Sequence, residues 1–334
     1  MNVAIRGCFF ACGMSILAGI WSMSAASAET TEIQFYTTVP RNLSEPLAQK
    51  FTELNPDIKV NIFQAGVETV LEKMQLEARG TGRFQADVMW IEEPAAIRQF
   101  ADEGRLEAYQ SPELKNVSAA YRDPEGRFVA NHVAFIFIMY STKKIQPGAA
   151  PKSWSDLTDT KFAGQLVFSN PQVSGTGAAI VSAMVQKFGW PFWEGIAKLK
   201  PVLVNGSQGM TSLIIQGERP VGVMQDYTIA DAMQKKQPVN FIVPEEGSLA
   251  MPAYFAIARG TPKLEAAKKF YDFMISKDGA EVLMRLGMYH TRTDLPGPEG
   301  RPPIADVKTI PFDWAQHARE KPAMKATFAD VMDK

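Results

Sequence analysis

A two-lobed α/β fold is predicted for this chain by three observations. Strand-like and helix-like segments alternate with short links. The alternation comes in two blocks. Between them runs one long apolar segment, Phe128–Tyr140. Alternation of this kind implies sheets covered by helices on both faces, and two blocks imply two lobes.

In the first block Ile33–Thr37 is apolar and β-rich. Leu43, Leu47, Phe51 and Leu54 form a helical stripe that stops at Asn55-Pro56. Ile58, Val60 and Ile62 alternate as in a strand, and Val67–Arg79 returns to helical spacing before Gly80. Asp87–Ile91 reads as a buried strand, and Pro94–Glu103 as a helix closed by Gly104. The second block repeats the pattern. It has strand Leu166–Phe168, helices Gly177–Phe188 and Pro191–Leu199, strand Val202–Asn205, helix Met210–Gln216, strand Val221–Met224 and helix Ile229–Lys235. Phe128–Tyr140 is expected to carry the chain between lobes. Met251–Ala258 is expected to bring it back, so that Lys263–Ile275 and Asp278–Leu286 pack on the first lobe. The expected division is 29–135 with 250–290, then 136–249, with 291–334 as a tail packing on both.

The N-terminus reads as a removed leader. Arg6 precedes an apolar run from Cys8 to Met23, and Ala26-Ser27-Ala28 fits small-residue cleavage. Residues 1–28 are therefore expected to be a signal peptide and the mature protein to be periplasmic. Both cysteines of the chain, Cys8 and Cys12, fall in the leader, so neither a disulfide nor a thiolate metal site is expected afterwards. With 35 Lys+Arg against 36 Asp+Glu, nothing in the charge calls for nucleic acid or an anionic membrane. Enzyme signatures are missing as well: no Gly-x-Ser-x-Gly, His-Glu-x-x-His or P-loop pattern occurs. Gly175-x-Gly177 opens like a dinucleotide fingerprint, but Ile180 stands at the third glycine.

The most informative stretch is 151–177. It reads as a short capped helix, a strand, a polar turn and a glycine-rich helix start at Ser174-Gly175-Thr176-Gly177. The first N–H groups of a helix lack intrahelical partners, so such a start cradles an anion.

These residues also carry a resemblance. Pro151-x-x-Trp154-x-x-Leu157, Phe162-x-Gly164 and Ser174–Gly177, with Phe35–Pro40 and Ala86–Trp90 before them, resemble the periplasmic substrate-binding proteins of ABC importers. The group in question is the extracellular solute-binding one that includes ferric-ion, phosphonate and sugar-phosphate binders. The resemblance implies a type II periplasmic-binding-protein clamshell, a small-molecule cargo, an inner-membrane permease as partner, and no cofactor. A monomer is expected.

Ligand groups in such a fold come from loops at the carboxyl ends of strands. The candidates are Thr37, Thr38 and Arg41 after the first strand, Glu92 (with Glu93) after the third, Ser174, Gly175, Thr176 and Gly177, then Ser207 with its neighbours Asn205, Gly206 and Gln208, and lastly Asp226 and Tyr227. Each has a plainer role open to it. Asn42, Ser44 or Ser174 can simply cap a helix, and Glu92 and Glu93 can simply be first-turn acids. Ferric binders of the group pair two tyrosines where this chain has Asp226-Tyr227, and the three histidines are His132, His290 and His317, none near the first loop. An anion cradle with acids at other strand ends suits a cargo with a negative and a positive end, such as an aminoalkylphosphonate, or a small phosphate ester. A ferric ion and an exported hydrolase are the alternatives.

Overall fold

The protein is described by a computed structural model covering residues 30–333, so the expected leader lies outside the described residues. In chain order the elements are β1 (Thr31–Thr37), α1 (Arg41–Leu54), β2 (Ile58–Gln64), α2 (Val67–Thr81), β3 (Val88–Ile91), α3 (Pro94–Asp102) and β4 (Val129–Ser141). The second block holds β5 (Leu166–Ser169), α4 (Gly175–Phe188), α5 (Trp190–Lys198), β6 (Val202–Val204), α6 (Ser207–Gln216), β7 (Val221–Gln225), α7 (Asp226–Gln234) and β8 (Val239–Ile242). The chain closes with β9 (Leu249–Ile257), α8 (Leu264–Ile275), α9 (Lys277–Arg285), β10 (Tyr289–His290) and α10 (Trp314–Met332).

The strands form one curled sheet in the order β2-β1-β3-β9-β4-β7-β5-β6. Its two wings are parallel, β2-β1-β3 and β7-β5-β6, and the middle is antiparallel. β4 is the hub. One of its edges carries β9 and then β8, the other β10 and then β7. Every residue of β4 is buried, and its two faces serve different cores. Ala134, Ile136, Ile138 and Tyr140 join the core that also holds Phe35, Trp90 and Trp154. Val133, Phe135, Phe137 and Met139 join a second one with Met224 and Ile229. The period-2 pattern of Phe128–Tyr140 therefore reports two buried faces, as strands covered on both sides require.

The stretch 151–163 is tighter than a helix. It makes two 3-10 turns, Ser155–Thr158 and Thr160–Phe162, because the Asp156 and Asp159 carboxylates bond nearby backbone N–H groups. Trp154 plugs the second lobe, and its indole N–H donates to the Gly247 carbonyl at 2.8 Å.

The tail forms α10, capped by Asp313. It packs on α4 and α5, where Phe328 meets Trp193 edge-on, and continues to α3 of the first lobe. His317 of α10 is buried, with Nδ1 2.8 Å from Ser182 Oγ on α4. Burial, with Lys321 and Lys325 nearby, pushes its pKa down to about 4. The unfolded chain thus takes up this proton first as the pH falls. The group's contribution to stability is complete above about pH 6.5 and is lost progressively toward its folded pKa, by about 3 kcal/mol in all. Urea unfolding of wild type and His317→Phe at neutral pH and near pH 4 measures this. The variant should lose less stability on acidification than the wild type.

Candidate functional site

All six parallel strands end on the same side of their wings, and each runs into a helix there, so six helix starts converge on one cleft. The cleft holds about 1160 Å³. Its first wall is built from Thr38, Asn42, Gly66, Val67, Glu68, Glu92 and Glu93. Gly175, Thr176, Asn205–Gln208, Gln225, Tyr227 and Thr228 form the second. The walls meet where α4 and α2 begin: a methyl added at Gly175 would sit 3.5 Å from Val67 Cγ2.

Several expected site residues line this cleft: Thr38, Glu92, Gly175, Thr176, Ser207 and Tyr227. Thr38 Oγ1 accepts the Glu92 N–H at 2.9 Å and so ties two cleft loops together. Thr176 Oγ1 accepts from Gln225 Nε2 at 2.8 Å, joining the starts of α4 and α7.

Others are placed elsewhere. Thr37 is fully buried; its hydroxyl donates to the Trp90 carbonyl and accepts the Val39 N–H, which leaves nothing for a ligand. Arg41 is solvated and pairs with Glu45 one helical turn on. Ser174 is the α4 cap, its Oγ accepting the Gly177 N–H at 3.0 Å, so the hydroxyl and that amide satisfy each other. Gly177 packs against β5, where a methyl would come 2.8 Å from the Ser169 carbonyl oxygen. Asp226 turns away from the cleft. Its carboxylate is bound by Arg301 and by the Phe135 N–H at 2.9 Å, and it is buried.

On the second wall α6 and α7 begin without side-chain caps, at Gly206 and Gln225, as α1, α2 and α3 do on the first, so first-turn N–H groups lack a cap on both walls. Gly206 has φ 86°, a left-handed conformation that suits glycine.

Charge divides the walls. The first carries three carboxylates, Glu68, Glu92 and Glu93. For Glu68, burial would raise the pKa, but Lys321 at 2.9 Å and Lys325 at 4.0 Å outweigh it and hold the carboxyl below its ordinary range. Burial pushes Glu93 up. Lys321, 3.8 Å away, opposes this and Glu68 adds to it, while Glu93 Oε1 has no hydrogen-bond partner. On the second wall, Asp231 is already paired with Lys235 at 2.7 Å. Burial, with Glu92 and Asp226 nearby, raises the Tyr227 pKa well above that of a free phenol, so it stands as a neutral hydrogen-bonding group. Glu68, Gln225, Thr228 and Lys321 were not singled out from sequence; Glu68 and Thr228 follow the same strand-end rule, and Lys321 has no local signal.

Comparison with known proteins places this architecture. The family model of bacterial extracellular solute-binding proteins matches residues 86–305, and the chain belongs to that family. It is 28% identical over 237 residues to a protein of Salmonella paratyphi A named a putative 2-aminoethylphosphonate-binding periplasmic protein, covering 66% of each chain. Among solved structures, iron-bound HitA from Pseudomonas aeruginosa superposes with a TM-score of 0.78 at 19% identity, over 89% of this chain and 99% of that one. AfuA from Actinobacillus pleuropneumoniae, solved with fructose-6-phosphate, gives 0.77 at 22% identity, over 91% and 99%. These structures share the two-lobed periplasmic-binding-protein fold.

The cap assignment separates structure from recognition. Ser174→Ala should cost about 1 kcal/mol as a lost cap and leave cargo affinity unchanged. Gly177→Ala should cost about 1–3 kcal/mol through overpacking against β5. Chemical denaturation and calorimetric titration of both variants measure the two effects; weakened binding in Ser174→Ala would return this hydroxyl to the site.

Proposed function

We propose that this protein is the periplasmic solute-binding component of an ABC importer and that its cargo is a small zwitterion, an aminoalkylphosphonate such as 2-aminoethylphosphonate. The observation that carries this reading is the opposite character of the two walls. Uncapped helix starts with hydroxyl and amide side chains at Ser207, Gln208, Gln225 and Thr228 offer donors to a phosphonate. Facing them, Glu92 and Glu93 offer acceptors to an amine. The name of the Salmonella relative supports the same cargo.

In this reading the cargo seats on one wall and gains partners on the other when the cleft closes, so closure is favoured by contacts that exist only in the closed state. The lobes comprise residues 29–135 with 250–290 and residues 136–249, the segment 291–334 packing on both. A closed, loaded protein delivers cargo to a permease in the inner membrane. The protein acts as a monomer and carries out no chemistry on its cargo.

A small phosphate ester fits the donor wall but leaves the acids unmatched. A ferric ion fits less well. Asp226 is already bound by Arg301, which leaves Tyr227 as the one phenol at this position, whereas a hard metal needs several anionic oxygen ligands free to bind it.

Thermal-shift and calorimetric titrations test the reading. 2-Aminoethylphosphonate at 100 times its Kd should stabilise the protein by about 2.7 kcal/mol. Ethylphosphonate and ethanolamine, each with one end of the cargo, should bind at least about tenfold more weakly, since a buried polar group left unpaired costs about 1–3 kcal/mol. Tight ferric binding with no response to phosphonates, or turnover of ester substrates, would overturn it.

A further inference from the structure

Directly beneath Glu92 lies an imidazole with no assigned role. His132 stands on β4 and is completely buried. Its ring meets Trp90 edge-on at 5.9 Å on one side and Tyr227 edge-on at 5.9 Å on another. Nε2 lies 3.4 Å from Glu92 Oε1, and Nδ1 has no hydrogen-bond partner. The backbone is shaped for this placement. The register between β4 and β9 shifts between Ala130 and His132, so Asn131 is a bulge, and a bulge re-aims the side chains that follow it.

We propose that His132 is a positioning residue of the binding site. It donates Nε2–H to Glu92, fixing the carboxylate that meets the cationic end of the cargo. The consequence is selectivity for an amine-bearing cargo. This rests on the zwitterion reading above.

The surroundings of the ring single out Glu92. Glu92 faces it from the start of α3, and Asp226 and Tyr227 from α7, with Arg301 of the tail paired to Asp226. On β9 its partners in register are Ala253 and the neighbouring Pro252, which carry no charge. On β10 the partner is His290, whose Nε2 is already 2.7 Å from the Pro296 carbonyl. Of the two carboxylates near the ring, Asp226 is held by Arg301 and Glu92 is the one within reach of Nε2.

The test compares 2-aminoethylphosphonate with ethylphosphonate at one fixed pH, so that the phosphonates' own titrations cancel between wild type and variants. His132→Gln retains an N–H for Glu92 and should keep the wild-type affinity ratio. His132→Phe fills the same aromatic slot without the N–H and should lower the ratio about tenfold, a coupling of ordinary size. An unchanged ratio in His132→Phe overturns the proposal.

A second measurement needs no cargo and stands even if His132→Phe does not fold. The ring nitrogen resonances of His132 should show Nε2 as the protonated, hydrogen-bonded nitrogen in wild type, and this signature should be lost in Glu92→Ala. A wild-type ring protonated at Nδ1 instead would overturn the coupling. The Nε2–H signature together with no binding of any phosphonate would support the His132–Glu92 coupling and overturn only the cargo reading.

Discussion

The burial of β4 along its whole length is the constraint from which the rest of the molecule follows. A strand sealed on both faces must find partners for its N–H and C=O groups along both edges, because an unpaired backbone group in an apolar interior costs as much as a lost hydrogen bond. No single neighbour runs the full thirteen residues. The edges are filled in relay, by β9 and β8 on one side and β10 and β7 on the other. Each relay joins segments from different parts of the chain, so both parallel wings hang from one antiparallel ladder. The two wings are thus joined through β4 and β9, which set how the strand ends facing the cleft stand to one another.

The same ladder explains why buried polar groups gather next to it. Asp226 is the first residue of α7, where an acid is favoured by the unsatisfied N–H groups, yet its carboxylate points back to the Phe135 N–H of β4 and to Arg301. That ion pair fastens the tail to the hub and removes Asp226 from recognition. Glu93 is the opposite case. Its Oε1 is buried without a partner, a condition that costs about 1–3 kcal/mol in a core. Lys321, 3.8 Å from its other oxygen, offsets part of that cost.

Much of the fold was legible because long amphipathic stretches advertise themselves. The stripe Leu43, Leu47, Phe51 and the alternation through Phe128–Tyr140 both became the elements their periods imply. β8 and β10, of four and two residues, are too short for a period to show. Helix starts shifted too: α6 begins at Ser207 and α7 at Asp226, earlier than their apolar stripes suggest, since a first turn lying at the cleft carries polar residues. The site was legible at the level of junctions, not of side chains. Strand-end loops form the cleft as the topology demands, but which hydroxyl faces it depends on local partners. Thr37 and Ser174 spend theirs on backbone within a few residues or across to Trp90, whereas Thr176 reaches a glutamine forty-nine positions away. No local pattern distinguishes these outcomes.

The tail divides the acids of the first wall. α10 lies outside the segment matched by the family model, yet it reaches from the second lobe to the first and brings Lys321 between Glu68 and Glu93. One ammonium shared by two carboxylates compensates much of the charge on that part of the wall. Glu92 receives no lysine or arginine among the described residues; its side-chain partner is the buried imidazole of His132. A single turn of the chain, Glu92-Glu93, thus carries two carboxylates in different surroundings. Glu93 lies beside the ammonium that α10 supplies, and Glu92 lines the cleft with the imidazole of His132 beneath it.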